Sequence, residues 1–299
     1  MAGLASMGSW AFRAAPRFWN HVSEDQARTV FPAPAHPAPR SWSDRGLHAA
    51  WLGHTTVLLK IDGVTILTDP VLSTRVGINL GLFTLGLKRV VEPALAVEGL
   101  PKIDVVLLSH AHFDHFDLPT LRRLESRVTA VVTAAKTADL LRVNRYRKVD
   151  ELGWGGRTSI GPLEIRAFPV KHWGARMRSD TYRGYNGYTI EAGRYRVVFG
   201  GDTASTTTFR PLKSARPFDL AVMPVGAYNP WIYSHCTPEQ AWQMADDAGS
   251  EFFLPVHHQT FPLSREPYLE PIERVYQAAG ANPERVALHQ IGQEFHFLA

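Results

Sequence analysis

Leu108-Ser109-His110-Ala111-His112-Phe113-Asp114-His115 is the stretch on which the reading of this chain turns. Three imidazoles and a carboxylate fall between His110 and His115, directly behind the apolar run Asp104-Val-Val-Leu-Leu. Such a run reads as a strand covered on both faces. Side chains that follow it project from the strand's end, where α/β proteins place their sites. A loop this dense in nitrogen and oxygen donors suits a divalent metal better than it suits a core. Imidazoles with a carboxylate match zinc, with iron and manganese left open. A polar loop that is merely His-rich is the bland alternative, and the His-x-His-x-Asp-His spacing argues against it.

One loop cannot complete two coordination spheres, so further donors are expected at later strand ends. Phe168-Pro-Val-Lys-His172 places a His behind an apolar run. Val197-Val-Phe-Gly-Gly-Asp202 places an Asp behind another, with two glycines that permit close backbone approach. Phe252-Phe-Leu-Pro-Val-His257 places a third. Each alone is weak; the three together repeat one arrangement.

Around these runs the chain reads as one α/β domain over residues 46–299, preceded by an extension over residues 1–45 that packs on it. Phe31–Pro39 carries four prolines and is read as an extended strap. Trp10, Phe12, Phe18 and Trp19 are candidates to pin the segment before it. Asp62-Gly63 is read as a hairpin turn. Residues 73–92 form an apolar loop, read either as a lid or acyl-chain contact or as a short packed helix. Helices are expected over Leu118–Glu125, Ala134–Arg142 and Pro267–Ala279. Another opens at Thr237-Pro238-Glu239-Gln240 with a capping box.

The 299 residues carry a formal charge of +4, from 25 Arg and 7 Lys against 28 acidic residues. That excess is too mild to choose a partner. A single cysteine, Cys236, excludes an internal disulfide, and no apolar run is long enough to span a membrane. With no secretory leader evident, the cytoplasm is the simplest expectation. The basic run Arg142, Arg145, Arg147, Lys148 is read as a solvated face, and no nucleic-acid partner is expected.

The donor order, with Trp51-Leu-Gly-His54, Thr68-Asp69-Pro70, His172-Trp173, Gly201-Asp202-Thr203, Pro238-Glu239 and Tyr268-Leu-Glu-Pro271, resembles the metallo-β-lactamase superfamily over about residues 48–270. Within it, the motifs look like the branch of N-acylphosphatidylethanolamine-hydrolysing phospholipase D, with the ascorbate-6-phosphate lactonases as neighbours. The resemblance implies an αββα four-layer sandwich and two divalent metal ions. His110, His112 and His172 would hold one, Asp114, His115 and His257 the other, and Asp202 would bridge. Asp69 would orient the ligand loop, and His54 matches the family's Gly-His motif. His235 matches a family histidine near the reacting group, so Asp114, Asp202 and His235 are the candidate catalytic residues. Where the family commonly has Trp-Gly after the last ligand, this chain has His258-Gln259, which alters the pocket's polarity. His21, His36, His48, His289 and His296 are read as structural or surface residues.

Two ions that share one water lower its pKa and make a hydroxide nucleophile, so no serine or cysteine is needed. A phosphodiesterase acting on small or lipid-like diesters is the leading expectation. The same site would serve a lactonase or another carboxylic-ester hydrolase; a nuclease and a non-catalytic binding protein rank lower. Arg176, Arg178, Tyr182 and Arg183 are candidates to meet phosphate oxygens. A homodimer and a peripheral membrane contact complete the expectations.

Overall fold

In the computed structural model, which describes Asp25, residues 27–81 and residues 84–298, the chain forms two mixed β-sheets that share one core. The first runs β15-β1-β2-β3-β6-β7-β8. Its strands are β1 (Leu47–Gly53), β2 (Thr56–Ile61), β3 (Val64–Thr68), β6 (Val105–Leu108), β7 (Ala130–Ala134), β8 (Lys148–Leu152) and β15 (Glu294–Phe297). The second runs β14-β13-β12-β11-β10-β9. It comprises β9 (Arg157–Ile160), β10 (Leu163–Phe168), β11 (Gly187–Ala192), β12 (Tyr195–Phe199), β13 (Phe218–Pro224) and β14 (Ser250–Val256). Each sheet opens as an antiparallel meander and continues in parallel strands, β3-β6-β7-β8 in one and β12-β13-β14 in the other.

Side-chain alternation sets the layers. Val197, Phe199, Leu220, Val222, Leu254 and Val256 enter the core between the sheets. Val198, Ala221, Met223 and Phe253 point the other way, against α2 (Pro238–Ala248) and α3 (Glu270–Ala279). Fully burying each of the Val, Leu, Phe and Met side chains among them stabilises the fold by about 1.5–3 kcal/mol. The outer face of the first sheet is covered more thinly, by α1 (Leu118–Arg123) and short 3-10 turns. The αββα sandwich expected from the sequence is therefore present with few helices. No described helix is long and apolar enough to cross a membrane.

Local chemistry explains the hairpin turn and the capped helix. Asp62 and Gly63 both take positive φ, as a tight hairpin turn requires. The Thr237 side chain accepts from Gln240 N while the Gln240 side chain accepts from Thr237 N, which completes the capping box of α2.

Other expectations need correction. Residues 73–92 are neither a helix nor a plain loop: β4 (Arg75–Asn79) and β5 (Thr84–Lys88) pair as a separate hairpin. Val76 and Leu87 pack beside Phe113, Phe261 and Leu263, whereas Ile78, Leu80 and Leu85 are exposed. No helix spans Ala134–Arg142. The chain leaves β7, takes a left-handed step at Lys136 and makes one 3-10 turn at Ala138–Leu140. Glu151 explains this, because its carboxylate accepts from Thr137 N and Ala138 N and thereby ties the segment to β8. Strands β8 and β9 had no counterpart in the sequence reading.

In the strap, Phe31 bridges to Val91, Ala35 N donates to Ile291 O, and Trp42 is buried with its Nε1 on Glu294. Trp10, Phe12, Phe18, Trp19 and His21 lie outside the described residues. His48 and His296 meet across β1 and β15 with their Nδ1 atoms 2.8 Å apart, far in sequence from the donor loops.

Candidate metal centre

The donor loops leave the carboxyl ends of strands from both sheets. His110 follows β6, His172 follows β10, Asp202 follows β12, and His257 follows β14. A bridge between His110 and Tyr185 and a bond from Asn186 N to Ser109 O stitch the loops of the two sheets together. Gly201 makes the approach possible: it has φ 56°, and a Cβ there would lie 2.8 Å from Asn186 O and from Ser109 Cβ. Among non-glycine residues, His54, Asp69, Ala227, His257 and Gln259 also hold positive φ. Such strain costs on the order of 1–3 kcal/mol per residue and gathers at functional sites.

All seven sequence-nominated donors converge. Asp202 Oδ2 is the hub, 3.1 Å from His115 Nε2, 3.2 Å from His257 Nε2, 3.7 Å from His172 Nε2 and 4.0 Å from His110 Nε2. On one side His112 Nδ1 lies 2.8 Å from His110 Nε2 and 3.3 Å from His172 Nε2. On the other, Asp114 Oδ2 lies 3.7 Å from His115 Nε2 and 3.6 Å from His257 Nε2. Donors bound at about 2.0–2.2 Å to one ion have spacings of this kind.

The chemistry of the set fits metal ions. His115 Nε2, His257 Nε2 and Asp202 Oδ1 are buried without a hydrogen-bond partner. Burial holds the His110 and His172 imidazoles well below the usual histidine range, in the neutral form that a ligand needs. Burial also opposes a charge on His115, but the carboxylates of Asp202 and Asp114 outweigh it and hold that imidazole well above the usual range. The two acids thus call for positive charge at their centre.

Supporting contacts orient the rings. Asp69 is fully buried; its Oδ1 accepts from Ser109 N at 2.7 Å, and its Oδ2 lies 2.7 Å from His115 Nδ1 and accepts from Ser109 Oγ. A proton held on His115 Nδ1 by that carboxylate leaves Nε2 free to face the centre. Ser234 O does the same for His172 Nδ1 at 2.9 Å. His54 Nε2 reaches Asp114 Oδ2 at 3.0 Å, so the Gly-His motif touches a donor directly. His258 is buried and stacks on Trp51, with no ring contact to the donors. His235 stands at the rim, with Nδ1 3.9 Å from Asp202 Oδ2 and its ring beside His172 and His257.

A pocket of about 200 Å³ opens over the centre, lined by His112, Asp114, Asp202, His235 and His257 and walled by Trp173, Trp231, Ala227 and Leu263. The nominated arginines do not line it. Arg183 is paired with Asp139 and Asp180, and Arg176 bonds backbone carbonyls. Cys236 is buried, and burial pushes its thiol well above the usual range, away from reactivity. The roles of Ser109 and of the Ser234 carbonyl escaped the sequence reading; Ser109 could have been found from its place inside the motif, Ser234 could not.

A family model described as "Beta-lactamase superfamily domain" matches residues 64–258. A protein of Mycobacterium tuberculosis is 34% identical over 281 residues, covering 89% of this chain and 74% of its own length. The N-acyl-phosphatidylethanolamine-hydrolyzing phospholipase D 1 of Caenorhabditis elegans is 31% identical over 264 residues, covering 81% of this chain and 72% of its own. Among solved structures, a metallo hydrolase from Ignicoccus hospitalis superposes with a TM-score of 0.63 at 22% identity, covering 85% of this chain and 99% of that one. With the donor cluster at its strand ends, the chain belongs to the β-lactamase superfamily as a metal-dependent hydrolase of the metallo-β-lactamase fold.

Proposed function

We propose that this chain is a phosphodiesterase whose seven donors hold two divalent ions, with zinc the favoured metal. His110, His112 and His172 would hold one ion and Asp114, His115 and His257 the other, with Asp202 close to histidines of both sets. The observation that carries the reading is the position of Asp202 Oδ2, within 4.0 Å of four histidine nitrogens from the three other donor loops: His110 and His115, His172, and His257. Imidazole and carboxylate donors match zinc, although the same set accepts iron or manganese.

Ions bound there supply Lewis acidity and lower the pKa of water. The chain's own groups do the remaining work. Asp69, His54 and the Ser234 carbonyl orient His115, Asp114 and His172. The Trp173, Trp231 and Leu263 walls give the pocket an apolar side that suits a substrate with an apolar portion. His235 faces the pocket with a buried, unpartnered Nδ1, placed to hold a phosphoryl oxygen or the leaving group's oxygen. The likeness to a phospholipase D supports a diester substrate.

A carboxylic-ester or lactone hydrolase is the second reading, and one observation favours it: among the described residues no Arg or Lys lines the pocket to meet a phosphate's charge. The experiment compares turnover of a bis-aryl phosphodiester and of a simple lactone by zinc-reconstituted and chelator-stripped protein. Zinc-dependent turnover of the diester in preference to the lactone is expected. The reverse preference, with zinc confirmed bound, selects the second reading.

A further inference from the structure

Arg176 stands in the loop between β10 and β11, on the same loop as His172. Its Nη1 donates to Ala111 O at 3.0 Å and to Phe116 O at 2.8 Å. Those carbonyls sit at the two ends of the segment 112–115, which carries His112, Asp114 and His115. The guanidinium also lies 4.0 Å from the centre of the Phe113 ring, in the middle of that segment. The segment's own backbone bonds are sparse: His115 N and Phe116 N both turn back to His112 O. Two carbonyls are both acceptors and cannot close a loop on each other; a two-proton donor between them can.

Nothing else claims this side chain. Among the described residues Arg176 has no ion pair, whereas its neighbour Arg183 has two acidic partners. It is absent from the pocket lining. Burial lowers its pKa to about 10, which leaves it charged at neutral pH.

We propose that Arg176 is a positioning residue that clips the 112–115 loop shut and fastens it to the His172 loop, so that the donors of both metal positions are held in one register. This rests on the reading of the seven donors as the ligand set. The clip uses a feature that a lysine lacks, the flat guanidinium face that lies over the Phe113 ring. It acts on the metal through the loop, without touching substrate.

The test measures zinc affinity by competition with a chromophoric chelator, for the wild-type protein, Arg176→Ala and Arg176→Lys. The wild type is expected to bind two ions per chain. Arg176→Ala is expected to bind about 10–100-fold more weakly, as when a ligand's supporting partner is lost. Arg176→Lys should fall between, and low-millimolar guanidinium should restore affinity to Arg176→Ala. A general packing defect would not respond to guanidinium, so a loss that it leaves untouched overturns the proposal. Unchanged affinity in both variants overturns it too, including when KM rises, because Arg176 would then be a substrate contact. Should the Ala variant fail to fold, the Lys variant decides by weakened or unchanged affinity. A wild type that binds fewer than two ions sinks the ligand-set reading instead, which is a separate result.

Discussion

Asp69 serves three partners at once. It fixes the Ser109 backbone, the Ser109 hydroxyl and the Nδ1 side of His115. Burial pushes its carboxyl up from the ordinary range, while His115 and Ser109 pull it down. Asp69→Asn keeps the shape and removes the charge that holds the proton on His115 Nδ1. Metal affinity measured by chelator competition should fall about 10–100-fold, with the secondary structure seen by circular dichroism unchanged. Full retention of affinity would remove Asp69 from the orienting role. The convergence of the seven candidate donors was legible in the sequence because side chains that follow apolar strands gather where those strands end. Their supports were less legible, for physical reasons. The Ser234 carbonyl belongs to the backbone, which has no sequence identity. Arg176 looks the same on paper whether it meets a phosphate or two peptide oxygens. His54 could be placed by its motif, but its distance to Asp114 depends on how the end of β1 meets the donor loop.

The β4–β5 hairpin shows where apolar content misleads. Residues 73–92 held enough leucine and isoleucine to suggest a packed helix, yet Arg75–Asn79 and Thr84–Lys88 pair as strands. The reason lies in Gly77 and Gly86, which face each other across the ladder. A Cβ on Gly86 would come within 1.9 Å of Val76 O, and one on Gly77 within 2.2 Å of Leu85 O. Gly86→Ala should therefore splay the hairpin and speed amide exchange over residues 75–88. Metal stoichiometry should stay at the wild-type value, because no donor lies in the hairpin. Loss of metal in that variant would mean that the hairpin supports the centre through Phe113 and Leu263. The α2 helix was the opposite case. Its signals are local, a Thr cap and a Pro at the first helical position, so the sequence carries them intact. The segment after β7 failed as a helix because Glu151, on the neighbouring strand, captured its amides. A partner on another strand is invisible to a local pattern.

The two sheets contribute to the centre jointly. His110, His112, Asp114 and His115 come from the first, and His172, Asp202 and His257 from the second. An ion bound there crosslinks the halves of the sandwich and stabilises only the docked state. Removing metal with a chelator should lower Tm; saturation at about 100 times Kd corresponds to ~2.7 kcal/mol for one site. For a domain of this size each kcal/mol moves Tm by roughly 2–4 °C, so a scanning calorimeter reads the difference directly. An unchanged Tm would contradict a load shared between the sheets. The overall sandwich was legible because its strands are apolar runs separated by turns. Its thin outer layer over the first sheet was not, since 3-10 turns leave no periodic trace. The division of donors also sets a timetable. During synthesis the His-rich loop emerges long before His257, and on its own it offers only half a cage. The centre is complete only after β14 has docked and brought in His257. Its ion is therefore chosen after the two sheets have met, from whatever ions surround the protein at that moment. Protein folded in surroundings of different metal content should carry a different ion on the same residues.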